Sequence, residues 1–221
     1  MVMSGRKLSE QPVDCTEPIA QTRFDGWPVF ATITALLGVM TLAVLASAGW
    51  DTDGYRLLIR STARTSLALF LSAFLALALH TLRPSEPTRW LVRNRRYLGL
   101  SFAMSHGIHL AAIIALATTD SPTFWTLASA LSIIVGGLGY LAIVFLVATS
   151  FDRVTSWFRT DRWHSVVGAG TWLIWFLFVY INAGRISGNP WYTIPVAILI
   201  TALVVRVAGR RSSGDKPGVT V

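Results

Sequence analysis

Six long apolar runs, parted by short polar stretches, occupy most of the chain: Pro28–Gly49, Thr65–Leu82, Tyr97–Ala117, Phe124–Ser150, Trp163–Asn182 and Trp191–Val207. Crossing about 30 Å of hydrocarbon takes about 20 apolar residues in a helix, and each run is of that scale. The fourth is the longest and is expected to tilt or to emerge from the bilayer. The sixth is short and carries Pro195. Trp27, Trp50, Trp90, Trp125, Trp163, Trp191 and Tyr192 stand at or near run ends, where amphipathic rings settle at the membrane–water boundary. The pattern predicts an all-α integral membrane protein. Its six-transmembrane-helix bundle covers residues 28–208, with tails at 1–27 and 209–221.

Composition narrows the class. Charged residues make up 14% of the 221, against about 25% in an ordinary soluble domain, and the mean hydropathy is +0.55. These values exclude a soluble fold and a disordered chain, which is poor in apolar residues and rich in charge. Cys15 is the one cysteine, so a disulfide scaffold is excluded too. A net charge of +8 would point to nucleic acid in a soluble chain. Here the basic residues sit between the apolar runs, so they orient the chain in a lipid bilayer and no nucleic acid partner is expected.

Fifteen fall on one side: Arg6, Lys7, Arg23, Arg83, Arg89, Arg93, Arg95, Arg96, Arg153, Arg159, Arg162, Arg206, Arg210, Arg211 and Lys216. The other side has Arg56, Arg60, Arg64 and Arg185. Alternation with loop parity predicts six spans with both termini cytoplasmic. No phosphate-cradling glycine motif is present, and the chain has no room for a flavin or NAD domain beside the spans.

Ionisable residues inside a membrane are costly and are functional candidates. His80 ends the second run, His106 and His109 lie inside the third, and His164 opens the fifth. No acidic residue interrupts the core of any run. Neutral imidazoles without carboxylates or thiolates are a donor set suited to haem iron. At about 1.5 Å per residue from Tyr97, His106 lies roughly 14 Å and His109 roughly 18 Å into the third span, both near mid-membrane. His80 and His164 lie near the cytoplasmic edge and match in depth. His106 and His109 are three apart and share a helix face, so a bis-histidine haem needs a second helix. Ala76, Ser105, Ala112 and Gly168 would let a macrocycle approach those helices, though small residues also serve ordinary helix contacts. Trp172, Trp175 and Phe176 could flank an electron path or simply pack.

The run Arg95-Arg96-Tyr97-Leu98-Gly99-Leu100, with His109 thirteen residues after Arg96, resembles the third span of the ferric-reductase-like transmembrane family. Within it the pattern is most like the MsrQ/YedZ-type haem-binding membrane subunits of periplasmic methionine sulfoxide reductase systems. The stretch ATSFDRVTSWFRTDRWH, ending in His164, and the end of the second run at His80-Thr81-Leu82-Arg83 resemble further parts of that pattern. The resemblance covers about Leu67–Asn182. It implies haem b (one or two), ligated through His109 and His164, in a bacterial plasma membrane. The position where the family carries a second histidine on the fifth span is Leu177 here.

The expected function is therefore a membrane electron-transfer protein. Haem-iron ligands are sought among His80, His106, His109 and His164, and Arg95 and Arg96 are placed to pair with propionates. Quinone is a second candidate cofactor. With no flavin or nicotinamide domain, electrons would come from a quinol or a separate reductase and pass to a periplasmic acceptor protein. The alternative is a non-enzymatic scaffold, assembly factor or carrier of the same fold that has lost full haem ligation, as Leu177 would suggest.

Overall fold

The computed structural model describes residues 24–150 and 160–214, with side chains over 24–150 and 166–212. It is helical, with no strand among the described residues. The helices are α1 (Trp27–Ala48), α2 (Thr52–Leu82), α3 (Glu86–Thr119), α4 (Ser121–Leu127), α5 (Ala130–Ala148), α6 (Thr160–Ala183) and α7 (Thr193–Gly214), with a single 3-10 turn at Pro190–Tyr192. Six of these are long and apolar enough to cross a membrane; α4 is not.

Helix ends follow local chemistry. The Asp51 carboxylate accepts from the amides of Asp53 and Gly54 and starts α2. Ser85 and Thr88 form a reciprocal capping box at α3. Gly26 and Gly49 flank α1 with φ of 80° and 93°, a region that only glycine enters cheaply. α2 and α3 both begin well before their apolar runs, because these caps let polar turns extend the helix beyond hydrocarbon. The fourth run is cut rather than tilted. α4 ends at Leu127, and Ser129 caps a new helix by accepting from the Ser132 amide.

The most extensive contact is the antiparallel α2–α3 pair, with α1 on one flank and α7 on the other. α5 and α6 form a second pair. The two halves meet through a core of Phe70, Phe74, Phe102, Ile143 and Ile174. At one end of the bundle the buried Asn94 ties α3 to the start of α1. Its amide donates to Asp25 (2.6 Å), its carbonyl accepts from the Gly26 amide (2.7 Å), and Arg93 pairs with Asp25 at 3.3 Å. The end of α7 lies on that same side, where Gly209 meets Ala78. Both ends of the described chain thus share one face of the bundle.

Candidate functional site

The α2–α3 seam sets the depth of the histidines. Thr62 Oγ1 lies 2.9 Å from His109 Nδ1, Ser66 donates to Ser105 at 2.8 Å, and His80 Nδ1 lies 3.1 Å from Thr88 Oγ1. Thr65 meets Met40, near the centre of the α1 span. His106 directly follows Ser105 of the Ser66–Ser105 pair, and His109 lies about one turn further along α3, which begins eleven residues before Tyr97.

When the Thr62 hydroxyl hydrogen points to the Leu58 carbonyl at 2.7 Å, its oxygen is free to accept from His109 Nδ1 at 2.9 Å. In that tautomer Nε2 carries the lone pair, as in metal-ligating histidines held by an outer partner. His106 Nδ1 is buried and has no hydrogen-bond partner.

The surroundings of this pair are closed and aromatic. Around His106 stand Phe102 at 5.0 Å, Tyr140 at 5.6 Å and Phe178 at 5.9 Å between ring centroids. His109 is 5.4 Å from His106. Leu177 turns to α5, where a Cβ on Gly139 would meet its Cδ1 at 3.3 Å. Among the described residues the side chain facing the α3 histidines from α6 is thus Phe178, and no second imidazole stands across from them. Ser105 is occupied with Ser66, and Ala112 packs on Leu45 and Leu58. These small residues join α3 to α1 and α2 and leave no slot for a macrocycle there.

A larger space lies toward the Arg-rich end. A cavity of about 500 Å³ opens between α2–α3 and α5–α6, within the range of cofactor pockets. Phe70, Phe74 and Phe102 form its apolar wall, and Arg93, Arg95 and Arg96 stand at its mouth. Gly99 lies in the lining, and a Cβ there would meet nothing within 4 Å. Arg95 and Arg96, the expected propionate partners, thus both line this cavity. His80 is not part of this lining; it is engaged at the α2–α3 connection. His164 falls in a helical stretch of α6 whose side chains lie outside the described residues. Its position is seven before Thr171, two turns along the same helix face, and Thr171 lines the cavity.

Apolar walls and a cationic edge suit a flat, carboxylated macrocycle such as haem. The described lining carries no imidazole, so ligation at this cavity depends on position 164. Among the described residues no three His, Cys, Asp or Glu side chains cluster as a metal site. Two further residues were not foreseen. Arg206, counted in the sequence only as an orienting charge, turns into the bundle. It donates to the Phe74 carbonyl at 2.6 Å and lies over the rings of Phe74 (4.0 Å) and Trp172 (5.1 Å). Thr62, the partner of His109, is an ordinary membrane threonine in one dimension. Trp172 and Trp175 meet edge to face at 5.8 Å between ring centroids, whereas Phe176 faces outward. Searched against family models, curated proteins and solved structures, the chain matches none of them.

Proposed function

We propose that this chain is a haem b-binding membrane protein of the ferric-reductase-like kind. It would pass electrons from a quinol or a separate reductase across a bacterial plasma membrane to a periplasmic acceptor protein. The observation that carries this reading is the aromatic-walled cavity with arginines at its mouth. Bound there, haem supplies one-electron redox chemistry. Arg95 and Arg96 would meet its propionates as charge-assisted donors, with Arg93, paired to Asp25, beside them. Phe70, Phe74 and Phe102 would exclude water from its face. His164, two turns before Thr171 on α6, would be the iron ligand. The rings of Phe102, His106 and His109, 5.0 and 5.4 Å apart in sequence, lead outward from the cavity wall. The closed packing around His106 favours one haem over two.

The second reading is a scaffold or carrier of this fold without haem. It is favoured by Phe178 opposite His106 and by the absence of an imidazole from the described cavity lining. A visible spectrum separates the two. Protein purified from haem-replete cells is expected to show a Soret band that shifts on dithionite reduction. His164→Ala should remove it, the Arg95→Ala/Arg96→Ala pair should lower haem occupancy, and His80→Ala should leave the spectrum unchanged. A colourless, monodisperse wild-type preparation would establish the second reading instead.

A further inference from the structure

α2 and α7 run parallel and touch closely at the Arg-rich end of the bundle. A Cβ on Gly209 would come within 2.8 Å of the Ala78 Cα, and Arg206 reaches the Phe74 carbonyl. The same register sets Thr193–Pro195 level with Thr62–Arg64. Toward that level lies a groove of about 390 Å³, lined by Leu75 of α2 and by Ile194, Ile198, Thr201, Ala202 and Val205 of α7. Its walls are almost wholly apolar. Ile194 and Ile198 are exposed, so the groove opens sideways to lipid.

Two cations stand on α2 at the outer end of this groove. Arg60 and Arg64 are one turn apart and exposed, and neither makes an ion pair or hydrogen bond among the described residues. Arg56, one turn before them, is paired with Asp53 at 3.6 Å. Arg64 precedes Leu75 by eleven residues, three turns on one face, which is about 16 Å along the axis. Thr65 contacts Met40, which lies two turns inside the 22-residue α1 span. Arg64 is therefore level with the lipid leaflet and not with open solvent. A guanidinium there snorkels toward the headgroups and gains from a counter-anion.

We infer that the α2–α7 groove is a binding site for one anionic phospholipid of the leaflet on the Arg56–Arg64 side. An acyl chain lies along Leu75, Ile198 and Val205, and the phosphate group bridges Arg60 and Arg64. A soluble anion would meet the arginines and leave the apolar groove empty. A neutral chain would fill the groove and leave two cations without partners at membrane depth. An amphiphile with an anionic head satisfies both.

The test uses the full chain reconstituted in equimolar phosphatidylglycerol and phosphatidylcholine, then released into detergent for native mass spectrometry. One retained phosphatidylglycerol per protein is expected, several-fold over phosphatidylcholine. The Arg60→Gln/Arg64→Gln variant should lose that preference. Thr201→Trp, which fills the groove from an exposed lining position without changing charge, should lose the bound lipid as well. Circular dichroism and a monodisperse elution profile establish that both variants fold. Equal phosphatidylglycerol retention by wild type and the double variant overturns the site. So does undiminished retention in Thr201→Trp, which would make the arginines a surface patch independent of the groove.

Discussion

Single polar groups in this bundle act through partners on neighbouring helices. Thr62 is fully buried, and its Oγ1 lies 2.9 Å from His109 Nδ1. Thr62→Val keeps the shape and removes this polar contact between α2 and α3. Interhelical polar pairs of this kind contribute about 0.6 to 1.7 kcal/mol in membranes. A fall of a few degrees in the thermal midpoint is expected in detergent, with recovery in Thr62→Ser; an unchanged midpoint in Thr62→Val would show that the bond contributes nothing. Asp120 lies outside the spans, accepting from the Thr123 amide at 3.1 Å and the Thr52 hydroxyl at 2.9 Å. These bonds, Thr123 foremost, hold its carboxyl below the usual carboxylate range. A depressed folded-state value means stabilisation that is present above the unfolded-state value of about 3.9 and lost as pH falls through the folded one. The difference in thermal midpoint between wild type and Asp120→Ala should be full at pH 7 and should narrow below about pH 4. A difference independent of pH would assign the effect to the helix cap alone.

At the scale of elements, the helix crossings depend on a few close approaches. Gly54 packs under the Gly49 carbonyl where α1 turns into α2, and Gly209 packs on Ala78 where α2 meets α7. Only the second lies between two spans. A methyl group at Gly209 would overlap backbone and not a flexible side-chain tip, so α7 would have to shift. Overpacking of this kind costs about 1 to 3 kcal/mol. Gly209→Ala should lower the thermal midpoint of the purified protein, and Gly209→Leu should lower it further. Retention of wild-type stability in Gly209→Leu would mean that α7 docks on α2 differently. The break between α4 and α5 belongs to this scale too. Apolar residues continue through it, and only the cap at Ser129 starts the new helix.

For the whole molecule, six spans bring both described chain ends to one face of the bundle, and the charge pattern predicts that this face is cytoplasmic. Fifteen Lys and Arg against four is a strong positive-inside bias. A fluorescent reporter fused after Val221 should be active, and a phosphatase that needs the periplasm should stay silent at the same position. Phosphatase activity there would mean that the bundle inserts the other way or that one helix does not cross.

The number of spans and their approximate extents were legible in one dimension. They depend on hydropathy and charge summed along the chain, which no tertiary contact alters. The nearness of Arg95 to Arg96 follows from adjacency in the chain; the cavity that both line was not legible. Nor were the partners of the histidines. Lipid and neighbouring helices are both apolar, so hydropathy carries little information about how a span is rotated or which span it meets. That rotation alone puts Thr62 opposite His109, sets Phe178 against His106, turns Leu177 toward α5, and brings Arg206 inward between Phe74 and Trp172. Packing of small residues, buried hydroxyl pairs and the close α2–α7 crossing decide it, and these interactions exist only once the helices have met.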